Sequence, residues 1–272
     1  MSDSARNLSP AAVLAAVEAN QFSFLKNFGR GPGGEVRELP HLVRTISGIP
    51  HGMFNVVMGA RLEPGSADAV IEEMLAEYAA RGLPFSWLVS PSVRPAGLGA
   101  RLAAHGLTHL FDDPWMALDL RALDEDQPAP PPGFRVVEVE DVEALKLFDA
   151  ASTRGFEQSP QLSQGFFDIY AHLGLGRDRP LRHFVGLLDG EPVAASSLCL
   201  GGGAAGIFGV ATAPEARRRG IGAAMTLAPL REARALGYRI AGLQSSDEGH
   251  GIYRRLGFAD VCTISWYAWS PP

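Results

Sequence analysis

The stretch FGVATAPEARRRGIGAAM (Phe208–Met225) decides how the chain is read: an apolar run, a short loop with three arginines, Gly-Ile-Gly, and the start of an amphipathic helix. Only two lysines occur in the whole sequence, Lys26 and Lys146, so the arginines are a local concentration of positive charge. Three chemistries place arginine beside glycine ahead of a helix. A general nucleic-acid binder is normally basic overall, and this chain carries a net charge of −6. A dinucleotide fingerprint needs G-x-G-x-x-G directly after a strand, and here Gly220 and Gly222 are followed by Ala223, Ala224 and Met225. A G-x-x-x-x-G-K-[ST] loop is also missing. What remains is a loop for the phosphates of another ligand. Glycines admit a ligand close to backbone N–H groups, the helix's first turn offers unpaired N–H donors with the dipole behind them, and guanidinium groups add forked hydrogen bonds. That combination suits a diphosphate.

A chain of 272 residues is long enough for two ordinary domains. The sharpest break is RALDEDQPAPPPG (Arg121–Gly133), acidic and then proline-rich, which can join neither a helix nor a central strand. The expected division is residues 1–120, a linker over 121–133, and a second domain over 134–272. In that second domain FRVVEVE reads as a strand, and DVEALKLFDAAS as a helix with Asp141 as N-cap. SQGFFDIYAHLG is a second helix stopped by Gly174 or Gly176. RHFVGLLDGEPVAASSLCL gives two strands joined by an Asp-Gly turn, and AAGIFGVAT a third. The helix IGAAMTLAPLREARALG, with Pro229 expected to kink or weaken it, ends at Gly237. The strand YRIAGLQSS, the short helix HGIYRRLG and the strand VCTISWYAW complete the order. Hairpins mixed with crossovers predict an α/β fold with a mixed sheet and helices on both faces.

The first part reads as a worn copy of the second. VVMGARLEPGSADAVIEEMLAEYAARGLPFSWLVS lies over the stretch from Gly209, with Gly65 on Gly220 and Gly82 on Gly237. ARLAAHGLTHLFDDPWMALDL lies over GIYRRLGFADVCTISWYAW, with Gly106 on Gly257 and Leu102 on Tyr253. A tandem duplication follows from the shared element order. The copy has LEPGSA in place of RRRGIG, with Glu63 and Asp68 where a phosphate would sit, so it is expected to bind no cofactor and to brace the other half. Phe54 and Trp87 read as core. Cys199 and Cys262 lie in apolar runs without CxxC spacing and read as buried thiols of a cytoplasmic protein. The polar start MSDSARNLSP has no leader pattern, no apolar run has membrane-span length, and no metal-ligand spacing occurs.

RRRGIG (Arg217–Gly222), with FGVATAPEA before it and GIYRRLGF after it, resembles the acyl-CoA signature of the GNAT superfamily of N-acetyltransferases, and the element order matches through most of Phe134–Trp269. The resemblance implies that Arg217, Arg218, Arg219, Gly220, Ile221, Gly222 and Ala223 hold the pyrophosphate of acetyl-CoA. It also implies that Val210, Ala211 and Thr212 pair with the pantetheine arm, and that His250 stands where the family places a cofactor contact. Tyr253 would be the general acid beside the sulfur, and a backbone N–H near Val210 would stabilise the oxyanion. One departure stands out: many members carry a glutamate on the strand before the loop, and AAGIFGVAT has no ionisable residue. Glu157, Asp247, Glu248 and His250 are the substitute bases, none preferred, and water is a further alternative. Arg254 and Arg255 face the cofactor's 3′-phosphate or, more simply, solvent. The expected activity is acetyl transfer to the primary amine of a small molecule by direct attack in a ternary complex, in a monomer or homodimer. Acetylation of a protein amine and a non-catalytic acyl-CoA-binding module are the alternatives.

Overall fold

A computed structural model describes residues 8–272; the expectation about a leader concerns residues 1–7 and lies outside them. The chain forms two compact units, and neither is a contiguous stretch. The chain up to Phe24 joins Trp115–Val261, and Leu25–Pro114 joins Cys262–Pro272. The proline-rich stretch expected as a boundary therefore runs inside the larger unit. The physical reason is an exchange of strands. Strand β5 (Thr108–Asp119), which closes the first sequence half, pairs through Trp115–Asp119 with β10 (Ile240–Gln244) of the second. Strand β11 (Ala259–Trp269), which closes the second half, pairs through Ser265–Trp269 with β4 (Phe85–Val89) of the first.

In the smaller unit β1 (Glu35–Leu39), β2 (Leu42–Ile46) and β3 (Val56–Met58) are antiparallel neighbours, and β3 pairs in parallel with β4. Helices α2 (Ala67–Ala80) and α3 (Leu98–Ala104) contribute Ile71, Met74, Tyr78 and Leu102 to a core that includes Phe85 and Trp87. Phe54 is fully buried as well, as its sequence setting suggests.

The larger unit orders its strands as β6 (Phe134–Glu138), β7 (Leu181–Leu188), β8 (Glu191–Gly201), β9 (Ala204–Thr212), β10 and β5. All neighbours are antiparallel except β9 and β10. One face carries Met116, Leu198, Ile207 and Leu243, packed with Ile221 and Met225 of α6 (Ile221–Ala235) and Tyr253 and Leu256 of α7 (Asp247–Arg255). Helices α4 (Val142–Phe156) and α5 (Pro160–Leu173), with α1 (Pro10–Lys26), cover the other. The helix starts follow their caps: Asp141 Oδ1 accepts from Ala144 N at 2.8 Å, Ser159 Oγ from Leu162 N at 3.3 Å and Ser246 Oγ from Gly249 N at 3.3 Å. Asp189 and Gly190 both have positive φ, the geometry a two-residue hairpin of right-handed twist needs. Helix α6 continues through Pro229. Cys199 is buried but Cys262 is only half-buried, since β11 presents much of its length to solvent, and neither forms a disulfide.

The duplicated order is real in three dimensions: β3–α2–β4–α3–β5 repeats as β9–α6–β10–α7–β11. Gly82 and Gly237 share a left-handed φ, as do Gly106 and Gly257, but Gly220 has φ 78° while Gly65 is not left-handed. No helix among the described residues is long and apolar enough to cross a membrane.

The face under α4 and α5 holds a buried imidazole. His183 Nδ1 lies 2.8 Å from Ser197 Oγ, its ring centroid is 4.1 Å from that of Tyr170, and burial pushes its pKa down to about 3. The folded state thus favours neutral His183, a stabilisation fully present above the unfolded pKa of about 6.5 and lost as pH falls toward 3. Urea denaturation across pH 7 to pH 4 is expected to show a loss of several kcal/mol from this source, and His183→Phe flattens that slope.

Candidate active site

The site begins where the β9–β10 ladder ends. The parallel strands pair over Ala205–Ala241, Gly206–Gly242 and Ile207–Leu243, after which β9 continues to Thr212 while β10 ends at Gln244. The cause is a β-bulge. On the other side of β9, Ala195 pairs with Ala211 and Ser197 with Phe208, so Gly209 and Val210 together oppose Ser196. Gly209 takes φ 58°, a conformation that glycine adopts without strain. The bulge swings β9 off its parallel partner, leaving Val210–Thr212 without a partner strand on the side facing β10, where Thr212 O accepts only from the Arg217 side chain. An extended ligand can add there as a strand does.

Beside this opening stands the start of α6. Its N-cap is Gly220, so no side chain occupies the N–H groups of the first turn. A Cβ on Gly222 would lie 3.5 Å from Ile252 Cδ1 and 3.9 Å from Thr212 Oγ1, which places the first turn against both α7 and the end of β9. Ala223 is buried behind it. The Gly220 side is closed: a Cβ there would meet Pro128 O at 3.1 Å and Ala129 O at 3.4 Å. The proline-rich stretch thus runs along the loop, and Gln127 Nε2 pins it by donating to Arg255 O at 3.1 Å.

The three arginines divide their labour. Arg217 donates from Nε to Thr212 O at 3.1 Å and from Nη2 to Gly155 O at 3.1 Å, which ties the loop to β9 and α4 and commits that guanidinium to the backbone. Arg218, at φ 60°, and Arg219 are exposed. His250 is likewise engaged elsewhere: its Nε2 lies 2.8 Å from Asp260 Oδ1, with Arg254 Nη1 3.4 Å from the same carboxylate. Arg254 therefore has a protein partner rather than water alone.

Tyr253 is part of the core, with its ring edge-on to Phe258 at 6.1 Å and over Gly249. No group among the described residues hydrogen-bonds its hydroxyl, and that oxygen is not among the sealed, unpartnered polar atoms. Burial pushes the phenol up to about 12. Of the substitute bases, Glu157 ends α4 in a left-handed conformation, and Glu248 sits 4.0 Å from Arg217 Nη1. No ionisable side chain lies on β9.

Sequence reading missed α1. Val17 packs where a Cβ of Gly242 would be, Asn20 Nδ2 donates to Cys199 O, Gly201 O and Ala204 O, and Phe24 stacks on Phe208 at 3.8 Å. The helix lies along the β9–β10 seam and ends beside its opening. Two signals were available: the apolar spacing of Val13, Leu14, Val17 and Phe24, and the glycines at 206 and 242 that admit a helix so closely.

In the smaller unit the corresponding helix start is occupied. Asp68, in the first turn of α2, pairs with Arg101 at 2.6 Å and with His105 at 3.3 Å.

Residues 143–258 match the sequence profile described as the Acetyltransferase (GNAT) family, so the chain carries a GNAT domain there. Solved structures agree over nearly the whole chain. A GCN5-related N-acetyltransferase from Kribbella flavida has TM-score 0.72 at 22% identity, covering 93% of this chain and 96% of that one. A tandem GNAT protein from the clavulanic acid biosynthesis pathway has TM-score 0.61 at 16% identity, covering 97% and 89%. A GCN5-related N-acetyltransferase from Sphaerobacter thermophilus has TM-score 0.59 at 16% identity, covering 100% and 98%. At these identities the likeness shows the fold alone, a mixed sheet between helices. A search of curated proteins found no match.

The two loop glycines are separable by substitution. Gly220→Ala meets both a left-handed φ and the Pro128 carbonyl, and urea denaturation is expected to show a loss of about 1–2 kcal/mol. Gly222→Ala is helical with ordinary contacts and is expected to be neutral or to gain up to about 0.5 kcal/mol.

Proposed function

We propose that the protein is an acetyl-CoA-dependent N-acetyltransferase that acts on the primary amine of a small molecule. One observation carries the reading: the edge of β9 at Val210–Thr212, without a partner strand, lies next to a helix N-terminus whose glycine cap leaves its N–H groups open. A thioester linked to a diphosphate through an extended amide-bearing arm is the ligand such a site complements. Its contribution is an activated acetyl group on a good leaving group.

The chain's residues then act as follows. Gly220–Ala223 bind the diphosphate through the main chain, with Arg218 and Arg219 adding positive charge. Arg217 positions the loop rather than touching the ligand. Val210–Thr212 orient the arm, and the Val210 N–H donates to the carbonyl oxygen as negative charge develops on it. Tyr253 donates its hydroxyl hydrogen to the departing sulfur. A phenol near 12 is a weaker acid than a thiol near ~8.5, by roughly 5 kcal/mol in free energy, so Tyr253 stabilises the thiolate through a hydrogen bond before any proton moves. Amine deprotonation falls to water or to a loop carboxylate, because β9 carries no base. The same absence favours the second reading, a non-catalytic acyl-CoA-binding module. The smaller unit, with Asp68 and Arg101 at its helix start, takes no part in binding the donor.

Calorimetric titration with acetyl-CoA is expected to give one site per chain, weakened at least tenfold by Gly222→Phe. Two sites per chain would return a donor role to the smaller unit, and no heat at two temperatures would end the proposal. Tyr253→Phe is expected to lower kcat about a hundredfold while leaving acetyl-CoA affinity intact. The raised phenol stays protonated below about pH 10, so kcat should show no loss from this group between pH 7 and pH 10. Binding without turnover for any amine would leave the module reading standing.

A further inference from the structure

The face from which the acceptor must approach carries an unanswered pair of hydrogen-bond donors. Helix α6 packs on the face of Ile207 and Leu243, so a donor held at its N-terminus enters the opening from that side. An amine approaching from the opposite face would meet the side chains that alternate with that row. The first two side chains beyond the last rung on the opposite face are Phe208 and Gln244. Directly across the β5–β10 ladder from Gln244 is Trp115, on the same face at about 5 Å between Cβ atoms.

Gln21 of α1 donates from Nε2 to Gln244 Oε1 at 3.3 Å, which fixes the amide and leaves Gln244 Nε2 turned away. Gln244 Nε2 and Trp115 Nε1 are both sealed from solvent without a partner, and Trp115 is 0% exposed. A buried donor left unmade is destabilising. The two lie opposite each other one step beyond the last β9–β10 rung, and a single oxygen could answer both.

We infer that Gln244 and Trp115, with Gln21 holding Gln244, recognise a carbonyl oxygen next to the acceptor amine, so that the substrate class is an α-amino amide. This deepens the proposed function and rests on its placement of the donor. A neutral oxygen suits the pair better than a carboxylate. Both donors are uncharged, and no arginine or lysine hydrogen-bonds them among the described residues. Phe24 and Phe208, stacked beside Gln244, leave the α-carbon side of the ligand an apolar neighbour.

The test reads the indole proton of Trp115 by NMR in the full chain saturated with coenzyme A, with Trp115→Phe identifying the resonance. Glycinamide and triglycine amide are titrated against ethylamine, which has the amine but no oxygen. A saturable downfield shift with either amide, absent with ethylamine and weakened about tenfold in Gln244→Leu, is the expected result, at unchanged coenzyme A affinity by calorimetry. A response to glycinamide points to free amino-acid amides, and one to triglycine amide alone points to peptide N-termini. The inference is overturned by silence with both amides, by equal response to ethylamine, or by an indole proton already hydrogen-bonded in the free protein. Loss of coenzyme A binding itself strikes the proposed function instead, and the same titration without coenzyme A still decides whether the pair takes an amide oxygen.

Discussion

The parallel ladder between β9 and β10 stops after three pairs, and the site depends on that stop. A sheet continued regularly through Thr212 would satisfy its own backbone and offer a ligand nothing. The bulge at Gly209 and Val210 breaks the regularity on one side only: β9 keeps its antiparallel partner β8 as far as Thr212, so the strand stays rigid while its other edge is open. Rigidity here matters because catalysis by positioning tolerates little play in the groups that hold the reacting atoms. Arg217 works to the same end, bridging the ends of β9 and α4 with two hydrogen bonds.

Much of this arrangement was legible in the sequence because it rests on local chemistry. The Asp141 cap, the Asp189-Gly190 turn, the extent of β9 and the glycines before α6 each follow from residue types acting over a few positions. The duplicated order also survived, because periodicity and turn glycines persist when side-chain chemistry has changed. What was not legible depends on contacts distant in sequence. Nothing local to RRRGIG says that its first arginine bonds to backbone carbonyls, one of them 62 positions earlier. Nothing in HGIYRRLG says that His250 meets Asp260. The domain boundary was misplaced for the same reason: proline content marks where regular structure stops, and the strand exchange happens in β5 and β11, which look like ordinary strands.

The smaller unit repeats the frame of the larger with a different helix start. Asp68 stands in the first turn of α2, where a carboxylate stabilises a helix as well as a bound phosphate would. The helix start that in α6 is kept open with glycine is in α2 satisfied internally. Its core holds large side chains such as Trp87, Tyr78 and Phe85.

The exchange of terminal strands also has a consequence for how the polypeptide comes off the ribosome. The smaller unit needs Ser265–Trp269 beside Phe85–Val89, and the larger needs α1 and Trp115–Asp119 beside strands made much later. Vectorial synthesis ordinarily lets an N-terminal domain finish before the next emerges. Here the smaller unit's sheet cannot be completed until residues 262–272 exist, so the early half waits with β4 unpaired along one edge, a hydrophobic strand. Late termination errors therefore fall first on the unit that was translated first.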